Sequence, residues 1–295
     1  MKNIFSIFIL SLSVAGCTSS SSKEEVSTKV TVIGTYDALP QRGDTVLYDT
    51  LINQLKDLHC NAYTWLIMPD TNSVKNKSVT QLEEFLPIAK KNNIEVWALL
   101  IPPVELAAIG GKYPTDDMRV WAAELAGLSV TYSNFKAWTI DDFTHSAKLY
   151  TTQYVSEFQN IAKKINPNFK FYPVCYFKES ANHKFADAYG PLIDGIWFPY
   201  RNESVKADLV DPSHVIDEVN ELRDYFGKNF PICLAPYSSR HSKLGIPTAD
   251  YVSKVIKSGF QCADGIMIFR HPNPVKDAEK YQTIKTAIEK GLEKK

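Results

Sequence analysis

Two adjacent carboxylates close the run Phe135-Lys136-Ala137-Trp138-Thr139-Ile140-Asp141-Asp142-Phe143, and by type and spacing they are the residues best suited to chemistry. The run begins as a buried strand, apolar and β-branched without helical spacing. Burying one unpaired charge at a strand end is costly, and two side by side repel each other. A tandem Asp there predicts a strand that opens into a solvated or liganded cleft. Repulsion also raises one pKa of the pair, as proton donation near neutral pH requires. A second reading stays open, in which Asp142 caps the following helix and Asp141 pairs with a Lys or Arg.

The elements that would position this pair follow from hydrophobic patterning. Strands are expected at Val30–Gly34, Ala62–Met68, Ile94–Ile101, Lys136–Asp141, Lys170–Cys175, Gly195–Pro199, Pro231–Ala235 and Gly265–Phe269. Each is mostly apolar without strict alternation, as parallel strands covered on both faces are. Amphipathic segments separate them. Ser78 with Gln81 resembles a capping box, Asp211-Pro212 a cap with a first-turn proline, and Thr248 a cap for a helix through Lys257 that Gly259 ends. Asp194-Gly195-Ile196-Trp197-Phe198 is echoed by Asp264-Gly265-Ile266-Met267-Ile268, which fits repeated βα units. Eight such units predict one α/β domain over residues 29–295, a (β/α)8 TIM barrel, a fold of typically ~250 residues. An open doubly wound sheet is the competitor; the missing Gly-rich loop after the first strand counts against a nucleotide-binding version.

In such barrels chemistry sits where strands end. Besides Asp141, Asp142 and Tyr176, the expected strand-end residues are Tyr36, Asp37, Asp70, Tyr200, Arg201, Tyr237, Arg240, Arg270 and His271, all candidate substrate contacts. Three of the six arginines follow the last three strands, and Arg42 falls in the loop after the first. Arginine suits fork-like binding of carboxylate, sulfate or phosphate. They form the basic side of a cleft, or they pair with Asp37, Asp70 or Glu203 to hold loops together. Trp65, Trp97, Trp138 and Trp197 lie within strands and read as core. No metal site is expected, because His241 and His271 stand beside arginines and no HxH or HExxH spacing occurs.

Net charge is zero, so no nucleic-acid footprint appears. Cys60, Cys175, Cys233 and Cys262 are widely spaced and read as small buried residues. At the start, Met1-Lys2-Asn3 and the apolar run Ile4 to Val14 lead into Ser13-Val14-Ala15-Gly16-Cys17. This resembles the lipobox of bacterial lipoproteins. The resemblance implies a signal peptide over residues 1–16, lipidation of Cys17, a flexible tether over 17–28 and membrane attachment through acyl chains. Lys23-Glu24-Glu25 is similar to surface-export signals, so an outer-membrane location on the periplasmic face or cell surface is expected.

A barrel whose fourth strand ends in two carboxylates resembles the TIM-barrel glycoside hydrolases. Ile140-Asp141-Asp142-Phe143, with Tyr176 one strand later, looks most like retaining N-acetylhexosaminidases of the O-GlcNAcase type, which use substrate-assisted catalysis. The resemblance implies that Asp142 protonates the leaving oxygen, Asp141 orients a 2-acetamido group and Tyr176 donates a hydrogen bond nearby. Those enzymes place a Lys near the third strand and Asn residues late in the barrel; here Pro102-Pro103 and Arg/His pairs stand instead. The ordinary retaining scheme needs a nucleophile roughly 5 Å from the acid. Ala235-Pro236-Tyr237-Ser238-Ser239 offers no carboxylate after strand seven. A substrate-assisted route remains, or an inverting one with Asp37, Asp70 or Glu203 as base. The expectation is a membrane-anchored glycoside hydrolase without cofactor, acting on a glycan or polysaccharide. The alternatives are a non-catalytic glycan-binding lipoprotein on the same scaffold and, third, a phosphodiesterase or lyase using the arginines with His241 or His271.

Overall fold

The computed structural model describes residues 30–69, 77–108 and 110–294. The expected signal peptide, Cys17 and the tether lie outside them. Eight parallel strands follow in chain order: β1 Val32–Tyr36, β2 Ala62–Ile67, β3 Glu95–Leu100, β4 Phe135–Ile140, β5 Lys170–Phe171, β6 Ile196–Pro199, β7 Ile232–Ala235 and β8 Gly265–Ile268. Their order is β5-β4-β3-β2-β1-β8-β7-β6. The two ends meet through a parallel bridge between Val174 and Trp197, with Cys175 N–H donating to the Trp197 carbonyl (2.9 Å) and Trp197 N–H to that of Pro173 (3.0 Å). The ring is therefore the expected (β/α)8 barrel. β5 is shorter than its apolar run because Pro173 has no N–H to give the ladder.

The helices are α1 Tyr48–Asp57, α2 Lys77–Lys91, α3 Pro103–Ala108, α4 Met118–Thr131, α5 Thr152–Ile165, α6 Phe177–Ser180, α7 His183–Tyr189, α8 Val215–Phe226, α9 Ala249–Cys262 and α10 Ala278–Leu292. A hairpin of Gln41–Arg42 with Thr45–Val46 decorates the first βα loop. The strand pleat divides the apolar residues into two cores. Trp65, Trp138 and Ile266 face outward into the layer shared with the helices. Tyr36, Ala62, Trp97, Leu99, Ala137, Val174, Tyr176, Trp197, Cys233, Ala235 and Met267 fill the barrel interior. The four strand tryptophans are core, and the four cysteines among the described residues are buried thiols. Gly34 is required at the ring: a Cβ there would lie 2.6 Å from the Ala62 carbonyl oxygen and 2.8 Å from Met267 Sδ.

Three local expectations change. Ser78 sits inside the first turn of α2, where its hydroxyl donates to the Leu66 carbonyl (3.0 Å) and accepts from Trp65 Nε1 (3.1 Å), tying the helix to β2 instead of capping it. Asp211 accepts from Ser213 N–H (2.9 Å) in a turn, and α8 starts only at Val215. Thr248 does cap α9 by accepting from Tyr251 N–H (3.1 Å), but Gly259 lies within the helix. A Cβ on Gly259 would come within 2.8 Å of Leu234, so this glycine serves close helix–strand packing.

The Asp-Gly echo has a structural cause. Asp194 accepts from Phe171 N–H of β5 (2.9 Å) and pairs with Lys163 of α5 (2.8 Å). Asp264 accepts from Ile232 N–H of β7 (2.8 Å) and pairs with Arg223 of α8 (2.8 Å). Asn61 repeats the device by accepting from Ile33 N–H of β1 (2.8 Å). Each side chain satisfies a backbone donor at the strand entrances, the end of the barrel that serves stability. Asp194→Ala would orphan Phe171 N–H, and a loss of about 2 kcal/mol is expected in denaturant unfolding. Asp194→Asn, which keeps the acceptor, should lose less; equal losses would show that the backbone bond is not what matters.

Candidate functional site

Strain collects at the opposite end. Five of the seven non-glycine residues with positive φ stand just past strands: Asp37 (53°) and Ala38 (57°) after β1, Asp142 (40°) after β4, Asn202 (55°) after β6 and Arg270 (74°) after β8. Left-handed backbone at such residues persists only where surroundings enforce it, and it gathers at functional sites. Asp141 continues the inward phase of Ala137 and Thr139. Asp142 would by alternation point outward, but its left-handed backbone turns it toward β5.

There Tyr176 donates its hydroxyl to Asp142 Oδ1. His145 Nδ1 lies 3.5 Å from Asp142 Oδ2, and the Glu105 carboxyl stands close enough to the same carboxylate for the two to perturb each other. Asp141 Oδ1 accepts from Asp142 N–H (3.0 Å). α5 begins ten residues further on with Thr151 as its cap, so the capping and ion-pair reading of the two acids does not hold. The Tyr176 ring is clamped between the His145 ring (centroids 4.3 Å apart, 18° between planes) and the Arg201 guanidinium (3.7 Å above the centroid). Arg201 in turn pairs with buried Glu203, whose carboxylate accepts from Lys178 N–H (3.2 Å).

Charge is divided unequally among the carboxyls. Burial, then the charge of Asp142, pushes Asp141 up to about 7. Glu105 rises to about 8 for the same two reasons in the same order. Burial would raise Asp142 too, but hydrogen bonds from His145, Tyr176 and Glu105 outweigh it and hold that carboxyl at about 2. His145 is raised, chiefly by its bond to Asp142. One ionised carboxylate thus stands between two carboxyls that keep protons near neutrality, which is an acid–base arrangement.

The remaining candidates separate. Tyr36 and Tyr237 face the mouth, where both pack against Phe269 (centroids 5.1 and 4.7 Å). Asp37 lines a cavity of about 550 Å³ beside β1 and β2; Arg240 lines another of about 690 Å³, and Arg270 lines both. Neither cavity reaches Asp141 or Asp142. Asp70 falls outside the described residues. Two expected contacts are corrected. Tyr200 is out of phase with Arg201, so its ring enters the helix layer and its hydroxyl donates to the Asp211 carbonyl (2.8 Å). His271 stands apart from the acids, buried at the edge of the cavity of about 690 Å³, with Nδ1 2.9 Å from Thr35 Oγ1 and Nε2 2.8 Å from Gln54 Oε1; the left-handed Arg270 before it breaks the alternation. Glu105 and His145 join the site although neither stood out as a site residue. His145 is three residues beyond Asp142, and Glu105 follows Pro102-Pro103, a helix-start signal that places it in the first turn of α3. Among the described residues no group of three His, Cys, Asp or Glu forms a metal-ligand arrangement.

No family model matches the sequence, and no curated protein matches it. Solved structures do. A family 39 glycoside hydrolase from the gut symbiont Bacteroides cellulosilyticus WH2 superposes with TM-score 0.61 at 11% identity, over 88% of this chain and 64% of its own. An exo-β-1,4-mannosidase from Opitutaceae bacterium strain TAV5 gives 0.62 at 9%, over 89% and 59%. A chitinase from Bacteroides thetaiotaomicron gives 0.56 at 11%, over 88% and 96%. The chain thus spans less than two thirds of the length of the first two. Identity this low establishes a shared barrel fold.

The proton distribution sets a pH signature. At Glu105 and Asp141 the folded chain binds protons that the unfolded chain has released, so between about 4.3 and 8 these groups lower stability as pH rises. Buried His271, lowered to about 4, acts oppositely up to about 6.5, so the effect is read as a difference between variants. Glu105→Gln keeps a donor toward Asp142 but cannot ionise. Its thermal midpoint should rise relative to wild type as pH goes from 5 to 8, the window given by those shifts. Parallel curves would exclude a proton held at Glu105.

Proposed function

We propose that the chain is a glycoside hydrolase whose proton donor is the Glu105–Asp142 pair. The observation that carries this reading is the convergence of Asp141, Asp142, Tyr176 and His145 at an aromatic-walled barrel mouth, with Glu105 close enough to Asp142 that burial and the Asp142 charge raise the Glu105 carboxyl. Such a pair titrates as a unit. Its proton passes from Glu105 through Asp142 to the leaving oxygen as the glycosidic bond breaks. Tyr237 occupies the inward position at the end of β7, where a retaining enzyme would need a nucleophile. A substrate 2-acetamido group supplies that nucleophile: its carbonyl oxygen bonds to the anomeric carbon as the glycosidic bond breaks, and the ionised form of Asp141, populated at and above a pKa of about 7, takes up the N–H proton. Water then attacks the same carbon, the bond from the acetamido oxygen breaks as Asp141 returns the proton to its nitrogen, and the proton lost by the water goes to the Asp142–Glu105 pair. The barrel likeness to glycosidases, a chitinase among them, supports this assignment. The lipobox-like start supports attachment to the outer membrane through Cys17.

Against a panel of defined glycans, Asp142→Asn should lower a detected hydrolysis rate at least 100-fold, the usual scale of general acid–base catalysis. Asn tolerates the left-handed backbone at that position, so folding is retained. Glu105→Gln should move the basic limb of the pH–rate profile to lower pH. An unchanged rate in Asp142→Asn would remove the proton-donor assignment. Glycan binding without turnover, surviving that substitution, would identify the binding-protein alternative, which the lack of a carboxylate on β7 favours. Cys17→Ser should release the protein from the membrane fraction.

A further inference from the structure

Beyond the acid cluster, the rim after β7 and β8 carries positive charge around a solvent-open cavity. The cavity of about 690 Å³ there is lined by Arg240, Arg270, Lys276 and Lys280, against one acid, Asp277. The Asp277 carboxylate is turned to the backbone, accepting from Asn273 N–H (3.2 Å). Neither Arg240 nor Arg270 has an ion-pair partner among the described residues. The Lys280 ammonium donates to the Ser238 carbonyl (3.1 Å), and burial lowers its pKa, so it too lacks full compensation.

Arg270, which borders this space and the neighbouring cavity, has a backbone that a bulky side chain rarely adopts, with φ 74°. The conformation is held from both sides. Ser238 Oγ donates to the Arg270 carbonyl (2.7 Å), and the next residue's N–H donates to the Tyr36 carbonyl (2.7 Å). An arginine whose backbone is held by neighbouring strands, lining the same cavity as a second arginine without an ion-pair partner, offers forked donors to an oxyanion. Phe269, the residue before Arg270, packs its ring on Tyr36 and Tyr237 at the mouth. A chain-like ligand crossing the mouth could fill both compartments.

We infer that this cavity is a subsite for the anionic substituent of an acidic glycan, a carboxylate or sulfate gripped by Arg240 and Arg270. The inference rests on the glycan reading above and specifies its substrate class. The acids cannot bind that substituent, and repulsion from Asp142 orients the ligand with its anionic group away from the proton donor.

Calorimetric binding of galacturonate oligomers and chondroitin sulfate oligomers, each beside its carboxyl-reduced or desulfated counterpart, tests this on the intact chain. At low salt at least one anionic form should bind tenfold or more tightly than its neutral counterpart, and 300 mM salt should erode the preference, given a Debye length that falls below about 8 Å. Which pair shows it separates carboxylate from sulfate. In Arg240→Gln/Arg270→Gln the anionic-to-neutral ratio should collapse toward one. Arg270→Gly, which also relieves the backbone strain, should lower the ratio without lowering the thermal midpoint. Neutral glycans bound as well as anionic ones would overturn the subsite and leave the hydrolase reading standing. A preference surviving the double substitution would overturn the residue assignment. No binding of either kind would overturn both.

Discussion

The period-two pleat of a closed parallel ring governs everything at the mouth of this barrel. Once β5 and β6 are joined through Val174 and Trp197, every second side chain must enter a space with no other exit. Bulky rings fill the lower layers, where Trp97 stacks on Tyr172 (4.9 Å) and meets Trp197 edge-on (6.4 Å). The last inward positions of successive strands then converge whatever their chemistry: Asp141, Tyr176, Arg201, Tyr237, Phe269 and Tyr36. An open sheet would have left these residues in a row.

Convergence alone would leave a repulsive knot of carboxylates. Donors from separate elements resolve it by fixing where the negative charge resides. Tyr176 comes from the end of β5, His145 from the turn after β4 and Glu105 from α3, and all three reach Asp142. Arg201 lies over the Tyr176 ring while its charge is matched by Glu203, so the clamp adds a cation–π contact without bringing a free cation to the acids. With Asp142 committed to the charged state, its neighbours keep their protons, which is the separation of roles that acid–base chemistry needs.

The two ends of the barrel divide the energetic labour. Left-handed Arg270 at the mouth costs on the order of 1–3 kcal/mol, and left-handed Asp142 and Asn202, residue types that tolerate this backbone, cost less. At the other end Asp194, Asp264 and Asn61 satisfy strand donors and, for the aspartates, pair with helix cations. Stabilising contacts at the strand entrances therefore offset strain at the strand exits. The mouth itself is polar in the electrical sense, with acids after β3 and β4 and unpaired arginines after β7 and β8.

The eight strands were legible because apolar runs of strand length are broken by Asp-Gly and Pro, whereas closure of the ring, which separates a barrel from an open doubly wound sheet, is shown by the bridge between Val174 and Trp197. The Asp141-Asp142 pair was legible because two charges at the end of a buried strand have few tolerable environments. The Thr248 cap was legible because capping is local. Phase was not: with both faces of a strand apolar, nothing in the run says which residue turns inward, so Tyr200 and Arg201 looked equivalent although one enters the helix layer and the other the mouth. Left-handed backbone at Asp142 and Arg270 is imposed by bonds from other strands, and it decides that Asp142 joins the cluster while His271 leaves it. Glu105 lies some 37 positions from Asp142 in the chain, and its retained proton exists only because folding buries it beside that charge. Local patterning can specify elements and ends; the charge state of a group belongs to the neighbours that closure of the ring brings to it.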